Sequence, residues 1–160
     1  MNFLLLRAVL AALPLLGLAF DTTASLVYGT VGSGIFLLAL FVFLLLRRPL
    51  PRIIQRLSFL LLLLGFTVLA ARILPLSFLL FASLVLLTPP DLFQKQKHWQ
   101  PVARKSILTL LIFTAFLAIH GFFVEELGLK MGVGFFEHPA GGYFLAGLVL
   151  AIFPVRRNDR

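Results

Sequence analysis

The chain is 160 residues long, 61% hydrophobic and only 12% charged, where a soluble domain carries roughly a quarter charged residues. A soluble fold could not hide that much apolar surface, so lipid must be the solvent for most of it and the chain reads as an integral membrane protein. The net charge of +8 sits in short clusters between apolar runs, as topology determinants do, which argues against nucleic acid as a partner; the lack of cysteine excludes disulfides, thiolate nucleophiles and thiolate ligation of zinc or iron–sulfur clusters by this chain.

Six apolar segments follow in order, at about 2–20, 24–46, 53–71, 73–88, 104–125 and 139–155. A spanning helix needs about 20 apolar residues, so the second, third and fifth fit comfortably. The first carries Pro14 in its middle. It has the apolar core of a signal peptide, but Arg7 lies inside the run rather than before it, against cleavage. Its side chain is expected to reach back to the cytoplasmic headgroups. The fourth segment is short and stops against Pro89 and Pro90; one helix through 53–88 would be far too long for a single crossing, and Pro75 makes a break plausible there. The sixth opens on Pro139, a residue suited to a first helical turn, and ends at Pro154.

Topology follows from lysine and arginine near the span ends. Arg47, Arg48, Arg52 and Arg56 follow segment two; Lys95, Lys97, Arg104 and Lys105 follow segment four, in an interfacial stretch with Trp99; Arg156, Arg157 and Arg160 form the tail. Six spans place these eleven of 14 basic residues on one side, with both termini cytoplasmic. Arg72, Lys130, Asp21, Glu125, Glu126 and Glu137 fall on the other side. The expected fold is an all-α, single membrane domain of six transmembrane helices. Residues 1–72 and 73–156 each supply three crossings, so the second set is inverted relative to the first. Each opens on a broken helix, at 10–17 and at 80–90, and matching broken spans are the best pointer to a functional site in inverted repeats.

Gly29, Gly32 and Gly34 would let another helix approach closely, as small residues do in lipid. They are no phosphate loop, since they lie in a span and no lysine follows. His120, inside segment five, is a possible ion or proton site by default. The commoner case is a neutral imidazole bonded to a backbone or hydroxyl group, and the other histidines, His98 and His138, fall in loops. Glu125 and Glu126, beside Gly128, Gly132 and Gly134, could bind or relay a cation, or simply meet water at the interface. No grouping of serine, histidine and acid suggests hydrolysis.

Several phrases resemble the six-helix membrane subunits shared by the Rnf electron-transport complex and the sodium-translocating NADH:quinone reductase (Nqr), over nearly the whole chain. Ala12-Leu13-Pro14-Leu15-Leu16 stands where those subunits have Leu-Cys-Pro-Leu. Leu46-Arg47-Arg48-Pro49-Leu50-Pro51 resembles the basic phrase after their second span. Glu125-Glu126-Leu127-Gly128 and Pro139-Ala140-Gly141-Gly142-Tyr143-Phe144 resemble their later Glu-x-Leu-Gly and Pro-x-Gly-x-Phe. The resemblance implies broken spans that meet at mid-membrane, where paired subunits hold a [2Fe-2S] cluster through cysteines, with electron transfer linked to sodium or proton movement. Here Leu13 and Ser83 occupy the cluster positions, and Val124 replaces an arginine. Neither Leu13 nor Ser83 can ligate iron as a thiolate, so no cofactor is expected on this chain alone.

The implied function is that of a structural or accessory subunit, non-catalytic itself, of an ion-translocating oxidoreductase complex. Its partners would be the bilayer and other membrane subunits or a homologous six-helix subunit. The alternative is a small inverted-repeat transporter or channel-like protein that binds an ion or substrate at the half-helix ends. A cation carrier would be expected to place a carboxylate near mid-span, and the sequence has none there.

Overall fold

The computed structural model describes residues 2–16, 21–46, 51–72, 78–93 and 100–152. Among these residues there are helices and turns and no strand, as lipid requires of a chain that must satisfy its backbone internally. Helix α1 (Asn2–Ala12) tightens into a 3-10 turn at Leu13–Leu15 and is followed by α2 (Thr22–Leu46) and α3 (Arg52–Ala71). Helix α4 (Phe78–Leu87) precedes a second 3-10 turn at Pro90–Phe93. Helix α5 (Gln100–Phe123) widens into a π-helical segment at Val124–Lys130, followed by the short α6 (Gly134–Glu137) and by α7 (Pro139–Ile152). Arg47, Arg48, Pro75, Lys95, Lys97, His98, Trp99, Pro154, Arg156, Arg157, Arg160 and the expected repeat boundary at 73 lie outside the described residues.

Three helices are long and apolar enough to cross a membrane, at Thr22–Leu45, Ile53–Ala71 and Gln100–Lys130. They are the three segments expected to do so comfortably. The apolar helices Phe3–Leu15, Phe78–Leu87 and Ala140–Ile152 are shorter. The ten residues of α4 rise about 15 Å, half of a hydrocarbon core about 30 Å thick.

Proline chemistry explains the breaks. Pro14 has no N–H for the α-helical ladder, so α1 stops at Ala12 and the Leu16 N–H donates to the Leu13 carbonyl at 3.3 Å instead. At the end of α4, Thr88 closes the last turn through its N–H to the Val85 carbonyl (3.1 Å) and its hydroxyl to the Leu84 carbonyl (3.2 Å), before Pro89. The last carbonyls of a helix need such partners.

The most extensive helix pair is α2 with α5, and α1 packs on both α5 and α4. Helix α4 touches α2 less extensively than α1 touches α5. Phe36, Phe59, Phe113, Leu63, Leu84 and Leu117 are fully buried between the helices. Edge-to-face contacts tie Phe43 and Phe59 (5.3 Å between centroids) to Phe93 (6.0 Å from each); such pairs are worth about 0.5–1.5 kcal/mol beyond their buried area.

Arg56 stacks over Phe93 at 5.7 Å, and Arg7 and Lys105 border one cavity with Leu87 and Pro89, so these basic residues gather at the C-terminal end of α4. Asp21, Glu125 and Glu126 gather where α2 begins and α5 ends. From Lys105 to Glu125 the helix climbs about 30 Å, the thickness of the hydrocarbon layer.

Candidate functional site at the junction of the broken helices

The junction is built from α1, its 3-10 turn and α4. Both α1 and the turn Leu13–Leu15 pack against α4, while the second break, at Pro89, borders Phe3, Leu4 and Arg7 at the start of α1. Leu15, Leu80 and Leu84 are fully buried there. Leu13 is half-buried against the same core, and Ser83 is completely enclosed. The Ser83 hydroxyl donates to the Leu79 carbonyl one turn back, at 3.0 Å, the usual way for a serine to satisfy itself inside an apolar helix.

This donor set does not fit an iron–sulfur cluster. Leu13 has no ligating atom, and the Ser83 hydroxyl is committed to its own helix. Among the described residues, no group of three His, Cys, Asp or Glu side chains converges as a metal site would require.

The α2–α5 crossing beside the junction explains two of the three glycines singled out in the sequence. A Cβ on Gly29 would stand 3.0 Å from Thr114 Cγ2 and 3.2 Å from its Cα; one on Gly32 would stand 3.0 Å from Leu80 Cδ1. Gly34 faces outward, with nothing within 4 Å of a Cβ placed there among the described residues. Helical rotation is the reason, since a residue two positions beyond Gly32 is turned about 200° away from the contact. Ser33 takes its place, its hydroxyl 3.0 Å from the Thr114 hydroxyl, which in turn donates to the Gly29 carbonyl at 3.2 Å.

Further along the same crossing, Gly121 lies against the start of α2. A Cβ there would be 2.6 Å from the Asp21 carbonyl oxygen and 2.7 Å from Ser25 Cβ. The contacts Ser25–Gly121 and Gly29–Thr114 run in opposite chain directions, so the helices are antiparallel. The sequence reading missed Ser25, Ser33, Thr114 and Gly121. A signal existed, because Ser25, Gly29 and Ser33 repeat a small residue every four positions, a spacing that favours close helix approach in lipid.

His120 is 1% exposed, and neither ring nitrogen has a hydrogen-bond partner among the described residues. The expected backbone or hydroxyl partner is therefore not found among them. The imidazole faces α7: a Cβ on Gly142 would collide with Nε2, stand 3.0 Å from Cδ2, and lie 3.1 Å from Leu16 Cβ. Gly142 thus makes room for the ring, and Leu16, just past the first break, closes the same spot. His138, by contrast, is exposed.

The two glutamates have structural employment. Glu125 accepts from the Thr22 N–H at 3.4 Å, and Asp21 accepts from the Ala24 N–H at 2.5 Å. Two carboxylates therefore meet the N-terminus of the 25-residue helix α2, where unpaired N–H groups and the helix dipole favour negative charge. Glu126 bonds Lys130, whose ammonium also lies 3.6 Å from Glu125. The three side chains are 34–57% exposed. The carriers sit on the π-helical segment, a form of helix frequent at functional sites. It is closed by Gly132 at φ +70, whose N–H reaches the Gly128 carbonyl at 2.9 Å, as left-handed glycines close helices. Nothing in the local sequence pattern announces that widening. Val124, at the start of the segment, is buried.

No protein-family model matches the chain, and no curated protein or solved structure is significantly similar to it.

Proposed function

We propose that the chain is an integral membrane subunit on the scaffold of the Rnf and Nqr six-helix subunits, acting as a structural or accessory member of an ion-translocating electron-transport complex and binding no iron–sulfur cluster alone. One observation carries the reading: α4 packs on both α1 and the Leu13–Leu15 turn, so the positions that resemble cluster ligands stand on elements in contact, yet offer a leucine and a self-bonded serine. In this reading all six apolar segments cross the membrane as two inverted sets of three, with both termini in the bacterial cytoplasm. The uneven packing of the two sets, α1 on α5 against α4 on α2, suits a scaffold that has drifted from symmetry. A homologous six-helix subunit, or other membrane subunits, would then complete the pair.

Purification in mild detergent from the native membrane tests this. Flavin- or quinone-linked subunits should accompany the chain, and iron analysis with paramagnetic resonance on the reduced, isolated chain should find no stoichiometric iron. A [2Fe-2S] signal from the isolated chain would overturn the reading.

A second reading is a small inverted-repeat transporter or channel-like protein. His120 favours it, as a buried imidazole without a partner among the described residues, since ionisable groups inside membranes mark proton and ion paths. Purification as a lone monomer or homodimer, with proton or sodium flux in proteoliposomes, would select this reading over the first.

A further inference from the structure

We propose that the hairpin joining α5 to α7 folds back along the bundle and anchors in phospholipid at the boundary between headgroups and acyl chains, with Met131, Val133 and Phe135 entering the lipid. The inference rests on α5 spanning the membrane and is independent of the subunit reading. The chain leaves the π-helical segment through Gly132 at φ +70, and the Val133 N–H reaches back to the Leu127 carbonyl at 3.0 Å. Helix α6 is then held to the start of α7. A Cβ on Gly141 would stand 2.7 Å from the Phe135 carbonyl oxygen and 2.8 Å from Phe136 Cα, so the two backbones touch and α6 does not stand away from the bundle.

Ring contacts fix the depth of the hairpin. Phe122 and Phe123 on α5 are 6.2 Å apart between centroids, Phe123 meets Phe136 at 6.3 Å, Phe136 meets Phe135 at 5.4 Å, and Phe135 meets Phe144 of α7 at 5.7 Å. The rings form an unbroken run across three helices. Gly142 beside His120 sets the level of α7, and His120 lies about 7 Å along α5 from Glu125, on the hydrocarbon side. Phe144, two residues beyond Gly142, and Phe135 against it therefore lie deeper than Glu125, Glu126 and Lys130, whose side chains are 34–57% exposed at the end of the span. Phe122, on the spanning helix itself, is 54% exposed, and Phe135 and Phe144 in the same run of rings are 48% and 54% exposed. An apolar surface continuous with the lipid-facing side of a span shares the solvent of that span. Met131 and Val133 are exposed at the tip, and the exposed Tyr143 brings a ring with a polar end to the same boundary, as aromatic belts do. Interfacial apolar segments settle about 5–10 Å into that boundary, a depth that matches the offset between Glu125 and His120.

The test is tryptophan fluorescence of the full chain in phosphatidylcholine vesicles, with the single native Trp99 replaced by Phe and one tryptophan introduced at a time. Leu111→Trp, at a lipid-exposed position within α5, should lose most emission to lipid brominated far down the acyl chain. Phe135→Trp should emit to the blue of Lys130→Trp and lose most emission to lipid brominated near the glycerol end. Aqueous iodide should quench Lys130→Trp and spare Phe135→Trp. Iodide quenching of Phe135→Trp as strong as that of Lys130→Trp would overturn the anchor, and so would shielding from both quenchers, which would mean that protein covers the hairpin. Should Phe135→Trp misfold, Val133→Trp at the tip decides by the same criteria. A Leu111→Trp that escapes every brominated lipid would overturn the spanning reading and the anchor with it; a lipid-quenched Leu111→Trp beside an iodide-quenched Phe135→Trp would overturn the anchor alone.

Discussion

The Thr114 hydroxyl donates to the Gly29 carbonyl at 3.2 Å across the α2–α5 crossing, and a Cβ on Gly29 would stand 3.2 Å from the Thr114 Cα. The bond and the close approach depend on each other. A side chain at 29 must push the backbones apart and so break the hydroxyl bridge. Gly29→Leu should therefore cost about 1–3 kcal/mol, the usual penalty for overpacking. Gly34→Ala, in open space, should be neutral or stabilise by about 0.5–1 kcal/mol through lost chain entropy. Thermal unfolding in detergent compares the two, and equal effects would place the crossing elsewhere.

Gly142 and His120 should show direct coupling. Gly142→Ala alone drives a methyl into the imidazole and lowers the melting temperature. His120→Ala in the same chain removes the obstacle, so the double variant should be more stable than the sum of the single effects by about 0.5–3 kcal/mol. Strict additivity would mean that the two side chains do not meet.

His120→Leu separates structure from activity. A buried polar ring with no partner among the described residues is a burden on stability, and an apolar side chain of similar size is neutral or stabilising in such a place. The variant should melt at the same temperature or higher. If the transporter reading holds, it should also lose ion flux in proteoliposomes. A clear drop in melting temperature would show that the ring makes a bond that stabilises the fold.

Glu125→Gln removes a charge from the N-terminus of α2 while keeping an acceptor for the Thr22 N–H. A lower melting temperature is expected in dilute buffer. The difference should shrink at high salt, because ions screen so exposed a carboxylate. A salt-independent effect would point to packing instead.

The lack of native cysteine makes labelling unambiguous. Arg56→Cys and Lys105→Cys should react with an impermeant maleimide from the same side of the membrane, and Glu126→Cys from the opposite side. Reaction of all three from one side would overturn the topology and the six-span count with it.

Much of the architecture is legible in the sequence. Three apolar runs have the length of a span, and Pro14 and Pro89 interrupt the ladder wherever they fall, so the helix limits near Ala12 and Leu87 follow from residue type. Pro139 likewise opens α7 at the position a proline tolerates. The helix α6 and the π-helical segment Val124–Lys130 escaped, since Gly128, Gly132 and Gly134 mark a helix end without saying how the last turns are wound.

By itself, then, the sequence determined the solvent, the breaks and the impossibility of thiolate chemistry, because hydropathy, a missing N–H and a missing sulfur are properties of single residues. Tertiary structure alone decided that Gly29 and Gly32 pack while Gly34 does not, that Glu125 serves α2 across a separation of 103 residues, and that His120 lies against Gly142. Those outcomes depend on the rotation and crossing of helices far apart in the chain, where a small change in either turns a contact face outward.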